Sequence, residues 1–149
     1  SDSDSVLFGG DGGFDRLVGG SGNDVLLATA MGNHDTLGED DMMDSLVGSA
    51  GSDTFMLINP SEINDTLNQI YKVKIEDFNR NEGDRVLLAG YGEDEEIHLS
   101  DVDTETNIQQ ASIGSDMNNS MTIYFDLSFA REFDANFALR MADFDKIDL

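Results

Sequence analysis

The chain has 149 residues, and its 31 acidic side chains outnumber its 8 basic ones, giving a formal net charge of −23 at pH 7. This charge argues against a nucleic-acid binder, which needs basic patches, and against binding to an anionic membrane surface. No apolar stretch approaches the roughly 18 residues of a membrane-spanning helix, so no membrane insertion is expected. The length of the chain predicts one domain with a modest core.

Five aspartates recur near the start of the chain. They are Asp15, Asp24, Asp35, Asp44 and Asp53, with three gaps of nine residues and a second gap of eleven. An apolar side chain follows two residues after each of them. Residues 19–27, GGSGNDVLL, match G-G-x-G-x-D-x-U-x at every specified position, the nonapeptide of calcium-binding β-helix repeats. The repeat therefore predicts calcium-binding turns that alternate with short strands.

The chemistry of the unit explains its residue types. Glycines at positions one, two and four allow positive φ and let backbone carbonyls approach an ion closely. Calcium takes six to eight oxygen ligands, and a single turn cannot supply that many, so two stacked turns are expected to share each ion. If two nonapeptides make one coil, Asp15, Asp35 and Asp53 form one column of stacked turns, and Asp24 and Asp44 form the other.

The run of repeats resembles the RTX family, the hemolysin-type calcium-binding repeats of secreted bacterial proteins. The resemblance implies an all-β fold: a right-handed parallel β-roll with several calcium ions in its turns. The units around Asp15, Asp24 and Asp53 keep the pattern best, whereas residues 39–47 have no glycine in their loop. The metal-site residues that the resemblance implies are Gly10, Gly12, Asp15, Gly19, Ser21, Gly22, Asp24, Asp35, Asp44, Gly48, Gly51 and Asp53.

The repeats cover about residues 6–57, and the composition then changes. Residues 71–75, YKVKI, alternate as a strand does. Residues 75–88, IEDFNRNEGDRVLL, resemble the I-x-D-F-x(4)-G-D-[KR]-[IV]-x-L segment found after the repeats in RTX proteases, lipases and alginate epimerase R-modules. This segment predicts that the roll continues beyond its metal loops. For Asp77 and Asp84, a further calcium site and a purely structural role in capping and turn formation both remain open.

The C-terminal part is predicted to close the roll. Residues 89–120 are expected to be loop-rich, and Met121 to Phe129 alternate as a strong strand whose apolar face covers the last coil. The segment from Ala130 to Asp143 is ambiguous between helix and strand. Residues 143–149 repeat the D-F…D-[KR]-[IV]-x-L pattern and form either a last strand or part of a secretion signal. The whole chain, 1–149, is thus one module, in which residues 58–149 supply the roll continuation and a strand-rich cap or secretion-signal region.

No catalytic motif is found in the sequence. It contains no H-E-x-x-H, no G-x-S-x-G, no phosphate loop and no cysteine, and two histidines without cysteine argue against a zinc site. The module itself is therefore predicted to be non-catalytic.

Two functions remain open from the sequence. The RTX resemblance implies calcium-dependent folding, stability and export by the type I secretion machinery for a larger secreted protein. Extracellular calcium modules work at roughly 10⁻⁴–10⁻³ M affinity, so the expected location is outside the cell, free or attached to the cell surface. The alternative is a polysaccharide-binding or surface-anchoring module, as in an epimerase R-module or an adhesin. It predicts a basic or aromatic stripe on one face, for which the repeats offer Arg16, Phe8 and Phe14.

Overall fold

The protein is described from a computed structural model, which covers residues 4–8, 16–28, 44–58, 71–91, 96–113 and 121–147. These residues form two β-sheets, one short α-helix and two 3-10 segments. The first sheet contains, in spatial order, β1 (Val6–Phe8), β3 (Val25–Ala28), β5 (Thr54–Ile58), β7 (Arg85–Ala89) and β11 (Phe144–Ile147). The second sheet contains β2 (Arg16–Gly20), β4 (Asp44–Ser49), β6 (Tyr71–Ile75), β10 (Met121–Asp126), β9 (Ile108–Ile113) and β8 (Ile97–Leu99).

The chain alternates between the two sheets along β1 to β7, and its strands stack in parallel within each sheet. All neighbours in the first sheet are parallel, as are β2, β4, β6 and β10 in the second. Among the described strands of the second sheet, only β9 runs against the others, and it pairs antiparallel with β10 on one side and β8 on the other. The expectation of parallel β-sheets is confirmed, and the fold is mostly β rather than all-β, because it also contains one short α-helix.

The core lies between the sheets because alternate residues of each strand point inward. In the first sheet, Leu26 aligns with Phe55, and Phe55 aligns with Val86. In the second sheet, Leu46 aligns with Ile75. All five side chains are fully buried, so the apolar position of the repeat faces the core as the pattern predicts.

The predicted arrangement of the aspartate columns is wrong. Val25 pairs with Thr54, which puts Asp24 and Asp53 in the same column rather than in different ones. The prediction assumed two nonapeptides per coil, whereas Asp24 and Asp53, joined by a hydrogen bond between neighbouring turns, are 29 residues apart. Asp44 lies on the second sheet, where it pairs with Val73, and Asp15 and Asp35 lie outside the described residues.

Downstream of the repeats, the structure confirms some elements and corrects others. Strand β6 occupies the predicted YKVKI segment, and the tail forms β11, which pairs with β7. Residues 89–120 are less loop-rich than expected because they contain β8 and β9.

The predicted strand over Met121–Phe129 is also too long. Strand β10 ends at Asp126, and helix α1 (Ser128–Phe133) follows. Asp126 Oδ1 accepts hydrogen bonds from the Ser128 N–H at 3.0 Å and from its hydroxyl at 2.6 Å, and this local turn ends the strand. In the described part of the chain, no helix has the length and apolar character needed to cross a membrane.

Candidate metal centre

Three turns stack along one edge of the two sheets, each joining a strand of the second sheet to the next strand of the first. They are turn A (residues 19–24), turn B (residues 48–53) and turn C (residues 76–84). Each contains one glycine in the left-handed region: Gly20 at φ 120°, Gly51 at 113° and Gly83 at 98°. A side chain is disfavoured at these angles, which explains a glycine at each bend.

Two further glycines are required by close packing rather than by φ. A Cβ atom on Gly19 would overlap Asp24 Oδ2 and lie 2.8 Å from the carbonyl oxygen of Gly48. A Cβ atom on Gly48 would overlap Asp53 Oδ2 in the same way. The space left by each missing side chain is occupied by one aspartate oxygen, and these two places beside Gly19 and Gly48 are called the glycine clefts.

The aspartates of the three turns form a ladder that runs back along the stack. Asp24 Oδ1 accepts the N–H of Ser5 at 2.8 Å, Asp53 Oδ1 accepts that of Asp24 at 2.9 Å, and Asp84 Oδ1 accepts that of Asp53 at 2.9 Å. One oxygen of each carboxylate thus holds the preceding turn. Asp24, Asp53 and Asp84 are all at least 95% buried, with 1%, 0% and 5% of their surfaces exposed.

The second oxygen of two of these carboxylates has no such role. Asp24 Oδ2 and Asp53 Oδ2 are buried, and no hydrogen-bond donor among the described residues reaches either of them. A buried carboxylate oxygen with neither a donor nor a cation is costly. These two atoms are the ones that face the clefts at Gly19 and Gly48.

Turn C ends the stack, and its aspartate side chains accept hydrogen bonds from the backbone of turn B and of turn C itself. The Asp77 carboxylate accepts the N–H groups of Gly48 at 2.9 Å and Ser49 at 2.7 Å. The second oxygen of Asp84 accepts the N–H of Asn79 at 2.9 Å. The structural role that the sequence left open for Asp77 and Asp84 is therefore present.

The carboxylates of this edge have raised pKa values, mainly because they are buried. Burial raises the pKa of Asp53 to about 6, and the charges of Asp24, Asp77 and Glu82 add to the effect. Burial likewise raises the pKa of Asp84 to about 7, with contributions from Asp53 and Glu82. Burial is also the main reason why the pKa values of Asp77 and Glu82 are raised, and the charge of Asp77 adds to the effect on Glu82. Negative charge at this edge therefore exceeds what the protein groups around it offset.

The donor set suits a hard cation bound partly by the backbone. Within the described residues, no group of three or more Asp, Glu, His or Cys side chains is placed to hold a metal ion by itself. The clefts instead bring a carboxylate oxygen close to a carbonyl, as with Asp24 Oδ2 and the Gly48 oxygen beside Gly19. Mixed carboxylate and carbonyl oxygens are what calcium accepts, so the residues present fit that ion.

The structure brings together about half of the metal-site residues expected from the sequence. Those in turns A and B are Gly19, Ser21, Gly22, Asp24, Gly48, Gly51 and Asp53. Asp44 begins β4 and belongs to neither turn, and Gly10, Gly12, Asp15 and Asp35 lie outside the described residues. Glu82 was missed because the nonapeptide period ends before it. The available signal was Asp84, which comes directly before a strand as Asp53 comes before β5 and so marks a further turn that contains Glu82.

Comparison with known proteins matches this chain to a solved structure but to no sequence family. No protein-family model and no curated protein matches the chain. Among solved structures, the chain is similar to the solution structure of the AlgE6R3 subunit from the Azotobacter vinelandii mannuronan C5-epimerase. The TM-score is 0.49 at 21% sequence identity, over 97% of this chain and 79% of that one. At this TM-score, the likeness supports no conclusion about the function of this chain.

Proposed function

We propose that the chain is a non-catalytic calcium-binding β-roll module of the RTX type, in which calcium between the stacked turns completes the fold. The observation that carries the proposal is the pair of buried oxygens, Asp24 Oδ2 and Asp53 Oδ2, that have no donor and face glycine clefts. A bound cation offsets the charge of such atoms without a rearrangement of the turns.

Two positions for an ion follow from the stacking. Between turns A and B, Asp24 Oδ2 and the Gly48 carbonyl are the candidate ligands. Between turns B and C, Asp53 Oδ2 is the candidate ligand, with Asp77 and Glu82 close enough to affect its pKa. A bound calcium ion supplies two positive charges, which offset the repulsion among these carboxylates. Because the site forms only when the turns stack, metal binding and folding share one free energy.

The biological setting is part of the same proposal and rests on the RTX resemblance. In that setting the module leaves the cell by type I secretion, folds in extracellular calcium, and stabilises a larger exoenzyme or adhesin, free or at the cell surface. Strands β8 and β9, helix α1 and strand β11 then act as the cap that ends the roll.

Calcium binding is tested by calorimetric titration of the whole chain, with far-UV circular dichroism before and after chelation. We expect the wild type to take up calcium and to lose part of its β-structure reversibly when calcium is removed, while a folded part that includes the C-terminal segment remains. The double variant Asp24→Asn, Asp53→Asn should bind calcium at least about tenfold more weakly, because it removes the two free carboxylate charges. Asp101→Asn, which removes an exposed charge remote from the turns, is the matched control and should bind as the wild type does. A wild type that takes up no calcium would refute the proposal.

One observation favours a second function, the binding of an acidic polysaccharide. The register places five side chains in one row across the outer face of the second sheet: Arg16, Ser45, Lys74, Tyr124 and Gln110. The repeats supply Arg16 and Ser45 to this row, and the downstream strands supply Lys74, Tyr124 and Gln110. Neighbouring strands are about 4.8 Å apart, so the row extends over about 19 Å, a length that suits an extended chain of sugars. Two cations in one row are notable in a chain with 8 basic residues and 31 acidic ones.

The second function is tested by titrating soluble alginate and neutral dextran into the calcium-loaded protein. Binding of alginate that Lys74→Glu abolishes and Arg85→Gln leaves intact would support it, since Arg85 lies on the other sheet. If neither polysaccharide binds, the row has no such function.

A further inference from the structure

Asn23, directly before Asp24, makes a contact that no metal-ligand role requires. Its side-chain oxygen Oδ1 accepts the N–H of Ser52 at 2.8 Å, across the gap between turns A and B. Ser52 is followed by Asp53, whose own N–H is held by Asp84 Oδ1 at 2.9 Å. Two successive amides of turn B are therefore fixed from opposite sides, one by turn A and one by turn C.

We propose that Asn23 is a positioning residue that fixes the orientation of the Asp53 carboxylate, and through it the affinity for the cation bound beside turn B. The proposal rests on the calcium function proposed above. It assigns a role to the variable residue that precedes the aspartate of the repeat.

Two other side chains on the solvent side of the aspartate ladder also reach the next turn, one as an acceptor and one as a donor. Asp4 Oδ1 accepts the N–H of Asn23 at 2.8 Å, and the Ser52 hydroxyl donates to the Glu82 carbonyl at 2.5 Å. Asp4, Asn23 and Ser52 are all exposed, and each reaches forward to the next turn. The buried aspartates reach backward to the preceding turn. Each pair of turns is thus joined in both directions.

The packing around Asn23 leaves turn B little freedom to shift while the contact is made. A Cβ atom on Gly51 would overlap the carbonyl oxygen of Gly22 and lie 3.1 Å from Asn23 Oδ1. Asp53 uses Oδ1 for the N–H of Asp24 and keeps only Oδ2 for a cation. If the Ser52 amide is released, the backbone at Asp53 can tilt, and Oδ2 moves out of its position in the cleft.

The chain itself indicates which substitutions preserve the contact. Asp4 shows that a carboxylate can accept the same hydrogen bond, so Asn23→Asp should keep the acceptor and add a negative charge near the cation. Asn23→Ala removes the acceptor. Asn81, an exposed asparagine of turn C whose backbone N–H is held by Asn79 Oδ1, provides the control Asn81→Ala.

The test is a calorimetric calcium titration of the wild type and these three variants of the whole chain. We expect Asn23→Ala to bind calcium about fivefold more weakly with unchanged stoichiometry, as for the loss of one hydrogen bond. Asn23→Asp should bind at least as tightly as the wild type, and Asn81→Ala should match it. Because Asn23→Asp keeps the acceptor, recovery of calcium affinity in this variant identifies the hydrogen bond to the Ser52 N–H as the cause of the loss.

The proposal is overturned if Asn23→Ala binds as tightly as the wild type, or if Asn23→Asp binds as weakly as Asn23→Ala. Should Asn23→Ala fail to fold in calcium, Asn23→Asp decides: binding at or above the wild-type affinity supports the role, and weaker binding refutes it. A wild type that takes up no calcium would instead refute the proposed function. That result differs from one in which the wild type and all variants bind calcium equally, which refutes only the role of Asn23.

Discussion

Buried carboxylates occur in two regions of the molecule, the turn edge and the C-terminal segment. In the turns, Asp24 and Asp53 each have one oxygen that no donor within the described residues reaches. In the C-terminal segment, Asp143 binds Arg80 through both oxygens, at 2.8 and 2.7 Å, and also accepts the N–H of Arg140 at 2.8 Å. The protein itself supplies the partners of the buried carboxylate in the second region, whereas in the first region two carboxylate oxygens have no hydrogen-bond donor among the described residues.

One arginine of turn C, Arg80, joins that turn to the C-terminal segment. Arg80 also donates to the carbonyl of Ala138, and its guanidinium lies 4.4 Å from the centre of the Phe137 ring. Both polar ends of the Gln109 side chain are also hydrogen-bonded within the protein. The side chain donates to the Ser100 carbonyl at 2.7 Å and accepts the N–H of Leu139 at 2.8 Å. Stability in this region should therefore not depend directly on metal.

The largest effect is expected from a substitution that removes the buried ion pair between Arg80 and Asp143. Arg80→Ala leaves the Asp143 carboxylate buried without its cation, and we expect a loss of about 3–5 kcal/mol in the free energy of unfolding, with or without calcium. Arg85→Ala is the control, because its ion pair with Asp145 joins β7 to β11 but is exposed on both sides, and such pairs contribute little. Urea unfolding of both variants measures the difference. Equal losses would contradict the contrast between buried and exposed pairs.

A smaller effect is expected from filling one of the clefts at the turns. Gly48→Ala places a Cβ atom where Asp53 Oδ2 lies, so the turn must shift, at a cost of about 1–3 kcal/mol. Calcium affinity should fall together with stability, and the measurement is a calcium titration followed by thermal unfolding of the loaded protein. A Gly48→Ala variant with wild-type affinity would mean that this cleft is not a cation position.

A further expected effect is a pH dependence that distinguishes the two regions. The pKa of Asp84 is raised to about 7 and that of Asp53 to about 6 from an ordinary value of 3.8. Folded protein without metal therefore binds more protons than unfolded protein between about pH 4 and 7, and its stability should rise as the pH falls through that window. Calcium affinity should change in the opposite sense, because the ion competes with these protons.

Urea midpoints of calcium-free protein at pH 5 and pH 7 check this prediction. Asp84→Asn should reduce the dependence on pH, and Asp101→Asn should not. Stability of the metal-free protein that increases from pH 5 to pH 7 would contradict the raised pKa values.

Local pattern explains which parts of the fold and of the metal centre could be predicted from the sequence. The apolar residue of each repeat faces the core, as at Leu26 and Phe55, because strand alternation is a local property. The position of Asp24 over Asp53 could not be derived, because it depends on a coil whose length differs from two nonapeptides. The role of Asp77 was undecided for a similar reason. Its contacts with Gly48 and Ser49 cross from one coil to the next, and such contacts leave no period in the chain.

The most direct test of the calcium dependence is residue-resolved amide hydrogen exchange, measured in calcium and after chelation. The amides to compare are those of Asp24 and Asp53 in the turns and that of Leu139 in the C-terminal segment, each held by a side-chain oxygen. We predict that chelation accelerates exchange at Asp24 and Asp53 by a much larger factor than at Leu139. Unchanged exchange at Asp24 and Asp53 after complete removal of calcium would contradict the account.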